Sequence, residues 1–357
     1  MKPFDYDRPK NIADAVISAA RPETVFLAGG TNLLDLMKGG ISRPARLVDV
    51  TRLPGLSDIT WAPDGGVRIG SLVRNSDLAH DATFASRFPA VAEALLSGAS
   101  AQLRNAATAS GNVLQRTRCQ YFYDVASACN KRDPGTGCGA IGGLTRLHAV
   151  LGWSEHCIAT HPSDFCVPLV ALDAVVEIEG AAGQREVPLE ALHRLPGDTP
   201  ERETVLEPGD LITAIRLPAE AAGFAANARY LKVRERTSYA FAVVSAAAAL
   251  RLEGGTIASA RLALGGVALK PWRARAAEDL LKGVAPGPDV FREAAQLALA
   301  DAKPSGNNAF KIELARRIVV RALTLAAAGT PDRIAALPAS PFAPAPRISA
   351  PGVTTHV

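Results

Sequence analysis

The sequence is short of long apolar runs, of basic clusters and of closely spaced cysteines, and each shortage removes a class of function. No stretch approaches the roughly 18 consecutive apolar residues of a membrane helix, so no membrane span is expected. The opening Met1-Lys2-Pro3-Phe4-Asp5-Tyr6-Asp7-Arg8-Pro9 is polar and has no apolar h-region, so no signal peptide is read there. The chain is then expected to be made in the cytoplasm, and to reach the periplasm only folded, alongside a partner that carries an export signal. A net charge of +4 is slight for 357 residues, and no Lys/Arg cluster with interleaved aromatics occurs, which argues against nucleic acid. The five cysteines contain no short C-x2-4-C knuckle, the usual mark of structural zinc.

What is present is a folded chain with 48% hydrophobic and 21% charged residues, long enough for two or three domains. Its most informative stretch is Phe26-Leu27-Ala28-Gly29-Gly30-Thr31-Asn32-Leu33-Leu34, where a short apolar run stops at paired glycines and turns into a helical pattern. Glycine lets backbone N–H groups approach a ligand without a Cβ in the way, and Thr31 or Asn32 is placed to cap the helix that follows. Such a helix start attracts phosphate or pyrophosphate, while the alternative is a strand-to-helix turn with no ligand. With Leu47-Val48-Asp49-Val50 as a second strand, the first 50 or so residues read as a βαβ-like unit. A hairpin follows, from Ile59–Trp61 to Val67–Gly70.

A second small-residue stretch runs from Leu103-Arg104-Asn105 through Thr108 to Gly111-Asn112, again with hydroxyl and amide groups able to meet phosphate or ring oxygens. Neither loop resembles a P-loop, and two of them favour a large nucleotide with two ends to hold. The match of Gly137-Cys138-Gly139-Ala140-Ile141-Gly142 to G-x-G-x-x-G is rejected as a dinucleotide fingerprint, because a polar loop precedes it where a strand is required.

Beyond the second loop lie Cys119, Cys129, Cys138 and Cys157, spaced C-x9-C-x8-C-x18-C on a polar, turn-rich segment. Long irregular loops are usually functional. Four thiolates on such spacing suit a [4Fe-4S] cluster, with zinc and unliganded thiols as the competing readings. Cys166 stands apart in an apolar context and reads as a small core residue. His161 reads as structural, and Ser163 and Asp164 either cap a helix or meet a ribose or adenine.

Taken in order, the first glycine loop, Arg104-Asn105 through Gly111-Asn112, Pro162-Ser163-Asp164, and Tyr230-Leu231-Lys232-Val233-Arg234-Glu235-Arg236 followed by Tyr239-Ala240-Phe241-Ala242 resemble the FAD-binding subunit of the molybdenum hydroxylases, the xanthine dehydrogenase and carbon monoxide dehydrogenase family. The resemblance covers about residues 1 to 328. It implies an α+β fold, with a two-part FAD-binding domain of the PCMH/vanillyl-alcohol-oxidase type over residues 1–56 and 57–222, an iron-sulfur loop at 115–160, and a small α+β C-terminal domain over 223–328. Residues 329–357 form a Pro-rich tail, read as disordered or laid along a partner.

The same resemblance implies roles. The first loop, Phe26 to Leu34, would wrap the FAD pyrophosphate, while Thr108, Gly111 and Asn112 would sit beside the flavin and its phosphates. Asp164 with Ser163 would hold the adenosine end, Ile212 would pack on the ring system, and Lys232 would bond the flavin edge. The surroundings of the cysteine loop, Gln115-Arg116-Thr117-Arg118 and Tyr121-Phe122-Tyr123-Asp124, look most like the aldehyde oxidoreductase branch, which implies [4Fe-4S] ligation by the four cysteines. No catalytic residue is expected on an electron relay. Its partners would be a [2Fe-2S] subunit, a molybdopterin-binding catalytic subunit and an external electron acceptor. The rival readings are a stand-alone FAD oxidase or dehydrogenase and a zinc-stabilised non-redox module.

Overall fold

The computed structural model describes residues 1–332. The Pro-rich stretch beyond that point lies outside the described residues. Three sheets divide the chain. The first holds β1 (Asp5–Asp7), β2 (Thr24–Leu27) and β3 (Arg46–Asp49), all parallel, in the order β1-β3-β2. Parallel neighbours need a crossover, and helices Ile12–Ala19 and Leu33–Lys38 supply it. Asn11 starts the first of these by accepting the Asp14 N–H at 2.8 Å, and Ala15, Val16 and Ala19 close against Val48, Val50 and Leu53.

The second sheet is antiparallel, with β4 (Ile59–Trp61), β5 (Val67–Gly70), β6 (Val175–Gly180), β7 (Gly183–Pro188) and β8 (Leu211–Leu217) in the order β4-β5-β8-β6-β7. Between β5 and β6 the chain leaves the sheet for more than 100 residues. That excursion first builds a helical layer, whose segment Pro89–Ser97 is buried at every residue, and then runs through the cysteine stretch.

The third sheet contains β9 (Ala228–Val233), β10 (Val244–Glu253), β11 (Thr256–Gly265) and β12 (Trp272–Arg273), antiparallel in the order β12-β11-β10-β9. The alanine-rich run Ala246–Ala249 lies in β10. Its alternation sends Ala246, Ala248 and Leu250 into the core formed with helices Arg275–Leu281, Pro288–Ala298 and Phe310–Ala327, and Ala247 and Ala249 into the core of the preceding domain. A strand buried on both faces loses the usual polar alternation, and small side chains let both layers approach. No helix among the described residues is long and apolar enough to cross a membrane.

Candidate functional site

A cavity of about 1000 Å³ opens where the helical layer, the first glycine turn, the cysteine stretch and the third sheet meet. That is the upper end of the range for ligand sites and suits an extended ligand. Thr31, Asn32, Gly111, Asn112, Ser163, Asp164 and Lys232 line it.

The two glycines of the turn have different surroundings. Gly30 has φ +71°, and an added Cβ would meet the Leu34 side chain at 2.9 Å, so this glycine serves the turn itself. Gly29 is the point of close approach, because a Cβ there would stand 2.0 Å from the carbonyl oxygen of Ala106. The two small-residue loops therefore touch backbone to backbone. Asn32 occupies the N-cap position of Leu33–Lys38 without capping it. Its Oδ1 instead accepts the Arg116 N–H at 2.9 Å, which ties the turn to the cysteine stretch.

In the second loop Thr108 is buried and caps helix Ala109–Val113, accepting the Gly111 N–H at 3.3 Å. It stands behind the cavity wall and fixes Gly111 and Asn112 in it. Asn112 Oδ1 accepts Ser163 Oγ–H at 2.8 Å, and Ser163 Oγ accepts the Cys166 N–H at 3.2 Å, so Ser163 both caps and bridges. Of the remaining expected contacts, Phe26 and Ala28 pack on the N-terminal core, Leu27, Leu33 and Leu34 flank the turn outside the cavity wall, and Ile212 is a core residue of β8.

Asp164 and Lys232 are joined directly. Assigned to opposite ends of an extended cofactor, they form one ion pair, with Lys232 Nζ 2.6 Å from Asp164 Oδ2. Tyr230, two residues earlier on the same face of β9, donates its hydroxyl to Asp164 Oδ1 at 2.5 Å. Burial and the neighbouring carboxylate hold the Tyr230 phenol well above its ordinary range, so it stays a donor. The pair thus forms one polar point on the cavity wall.

Sequence reading passed over the cations of the wall. Arg104 is buried and donates to the Gly98 carbonyl at 2.7 Å, yet among the described residues no carboxylate pairs with it. Arg118 bonds the Tyr123 hydroxyl at 2.8 Å and lies over the Phe241 ring at 4.7 Å, again with no acid. Both Nε atoms are buried without partners, as are Asn75 Oδ1, His148 Nδ1, His161 Nε2 and Ser245 Oγ, and all six residues line the cavity. Buried unsatisfied polar atoms are few in native proteins, and their concentration on one wall fits a polar, anionic ligand that is bound there.

The cysteine stretch adjoins this wall. Its regular structure is one short helix, Gln120–Tyr123, and side chains hold the rest. The guanidinium of Arg132, largely buried, donates to the carbonyls of Tyr121, Phe122 and Asp124, each at 2.9 Å, and to that of Ser127. Glu203 joins Arg116 at 2.9 Å and Lys131 at 3.4 Å. Cys129 and Cys138 face each other across an isolated antiparallel bridge. Cys119 packs with Cys129 on one side and with Cys157 on the other. None of the five cysteines is in a disulfide. Burial pushes the Cys119 thiol up to about 12 and raises that of Cys157, and neighbouring cysteines add to both shifts. Such thiols ionise only with a cationic centre among them.

Tetrahedral zinc at 2.3 Å from sulfur would place its thiolates about 3.8 Å apart. Among the described residues the one His/Cys/Asp/Glu group with all ligating atoms within 4.8 Å is His161, Cys166 and His193, not the loop cysteines. That trio has its own explanation. His193 Nε2–H donates to the Val113 carbonyl at 3.0 Å, leaving a lone pair on Nδ1, while His161 Nδ1 accepts the Ser163 N–H, leaving the proton on Nε2. A histidine that binds metal donates its other ring nitrogen, and His161 does the reverse.

The fold is that of the flavin subunits of the molybdenum hydroxylases, and the chain belongs to that family. Residues 2–220 match the FAD binding domain in molybdopterin dehydrogenase, and residues 229–326 match the CO dehydrogenase flavoprotein C-terminal domain. The chain is 49% identical to the aldehyde oxidoreductase FAD-binding subunit PaoB of Escherichia coli K12 over 331 residues, 92% of this chain and 99% of that one. It is 27% identical to the carbon monoxide dehydrogenase medium chain of Hydrogenophaga pseudoflava over 90% of this chain and 96% of that one. Carbon monoxide dehydrogenase from Hydrogenophaga pseudoflava superposes with a TM-score of 0.71 at 28% identity, covering 91% of this chain and 97% of its own. The reconstituted enzyme from Oligotropha carboxidovorans gives 0.72 at 27%, covering 92% and 99%.

Proposed function

We propose that this chain is the FAD- and [4Fe-4S]-binding electron-transfer subunit of a heterotrimeric, molybdenum-dependent aldehyde oxidoreductase. It would work beside a [2Fe-2S] subunit and a molybdopterin-binding subunit and deliver electrons to an external acceptor. One observation carries the reading: Cys119 is at once a member of the four-cysteine group and part of the cavity wall. When bound, FAD supplies a centre that takes electrons singly or in pairs, and an iron-sulfur cluster supplies a one-electron centre.

The residues have separable tasks. Arg104 and Arg118 neutralise the pyrophosphate, the Asp164–Lys232–Tyr230 group fixes one end of the cofactor, and Gly29 keeps the two loops in contact. Cys119, Cys129, Cys138 and Cys157 hold the iron. Their spacing, too open for one tetrahedral ion, favours a cube whose irons each take a different thiolate. Leu144, Leu147, Tyr239 and Phe241 expose apolar surface at the cavity margin, beside Arg146 and Arg236, which supports docking of another redox subunit there. Localisation in the periplasm by co-export with a signal-bearing subunit belongs to the same proposal.

The test is purification from the native source with analysis of co-eluting subunits, flavin, iron and zinc. Stoichiometric FAD, about four irons per chain and two companion subunits are expected. A lone chain with flavin and no iron would replace the proposal with a stand-alone flavoenzyme, and zinc in place of iron with the non-redox module.

A further inference from the structure

His148 is a residue that neither the cysteine spacing nor the flavin-contact pattern singles out. It is 5% exposed and stands at the seam between the two sites. Its ring Nε2 lies 3.1 Å from Cys119 Sγ, and both residues border the flavin cavity. The ring also packs at a tilt against Tyr121, centroid to centroid 6.2 Å.

The backbone of His148 is clamped from the far side. Its carbonyl accepts Lys311 Nζ at 2.8 Å and Asn308 Nδ2 at 3.1 Å, and both donors are fully buried at the start of helix Phe310–Ala327. The main-chain N–H is held by Thr145 O at 2.9 Å. A side chain fixed this firmly, from a helix of another domain, keeps its nitrogen aimed at one sulfur.

A metal-bound thiolate offers only lone pairs, so the proton between ring and sulfur belongs on Nε2. Nδ1 then carries a lone pair, and it is buried with no donor among the described residues. We propose that His148 is a positioning residue that donates Nε2–H to the Cys119 thiolate and thereby raises the reduction potential of the centre on the four cysteines. The inference rests on the iron-sulfur reading given above. Reduction adds one negative charge to such a centre, and a hydrogen bond to its sulfur stabilises the reduced form more than the oxidised one.

The experiment uses the complete complex with two variants, His148→Phe, which keeps a ring and loses the donor, and His148→Gln, which keeps an N–H at similar reach. Iron and FAD per complex are assayed first, and the midpoint potential of the cluster is then followed by electron paramagnetic resonance during a redox titration. His148→Phe is expected to retain iron and to fall in potential by about 59 mV or more, a tenfold change in the ratio of reduced to oxidised cluster at fixed potential. His148→Gln should recover most of that loss. Loss of iron in His148→Phe with iron and potential both kept in His148→Gln also supports the donor. Iron retained in His148→Phe at the wild-type potential overturns the proposal, as does loss of iron from both variants, since shape and not the N–H would then be required. A wild-type complex without iron overturns the iron-sulfur reading instead, and the iron assay alone tells that case apart.

Discussion

The flavin cavity and the cysteine stretch share a wall but are built by opposite means. Regular elements make the cavity: a strand-to-helix turn, a capped short helix, a buried helix and the edge strand β9, each placed by its own backbone bonds and packing. The cysteine stretch has one short helix and two isolated bridges, and charged side chains bonded to carbonyls hold the remainder. A site of the first kind is formed by folding and receives its ligand afterwards. A site of the second kind has raised thiol pKa values at Cys119 and Cys157 to offset, and under the proposed function it would be completed only when a cationic centre draws the protons off.

The largest effect that would break this contrast is at Gly29. In Gly29→Ala the methyl group would collide with backbone at Ala106, which cannot move aside as a side chain can. Loss of bound FAD and a marked loss of folded protein are expected, measured by flavin absorbance and thermal unfolding. Normal flavin content in this variant would mean that the two loops are not held in contact.

Next come the cysteines. Cys119→Ser, Cys129→Ser, Cys138→Ser and Cys157→Ser should each lower iron, while Cys166→Ser, buried beside His161 and His193, should not. Flavin should stay near stoichiometric in the three variants away from the cavity wall and fall only for Cys119→Ser. Equal losses of flavin in all four would show that the two regions form one cooperative unit.

Arg132→Met removes donors to four carbonyls and should destabilise the cysteine stretch locally by about 2 to 3 kcal/mol. Limited proteolysis within residues 119–157 reads that effect, and cleavage unchanged from wild type would show that Arg132 is not what holds the stretch.

An effect of similar size at its limit, and absent at neutral pH, concerns His193. Burial lowers His193 from 6.5 to about 4, so the folded chain keeps it neutral while the unfolded chain takes up a proton below 6.5. Unfolding therefore binds a proton between those values, and stability is lost as pH falls from 6.5 to 4, by at most about 3 kcal/mol. His193→Gln should flatten the fall of melting temperature over that range, and an unchanged slope would remove His193 as a cause.

Legibility in the sequence follows the range of the interactions. The turn at Gly29-Gly30 and the hairpin of β4 and β5 are set by neighbours in sequence, and each was readable there. Strands β1 and β7 were not, because Asp5-Tyr6-Asp7 is three polar or half-polar residues and Gly183–Pro188 is an edge strand of mostly polar ones. The family resemblance named Asp164 and Lys232 but gave them to opposite ends of the cofactor, since a pairing across 68 residues leaves no mark in local spacing. Arg104 was visible as a residue of the second loop, but its importance lies in having no acid beside it, which only the fold reveals. His148 had no local signal at all.

The measurement that goes most directly to the central claim is reduction of the flavin by an aromatic aldehyde, followed at its visible band, in the isolated chain and in the chain joined to the proposed [2Fe-2S] and molybdenum subunits. The relay account predicts little reduction in isolation, fast reduction in the complex, and slowed reduction in a Cys129→Ser complex, which should keep its flavin. Fast reduction of the isolated chain would contradict it and make this protein an enzyme acting on its own substrate.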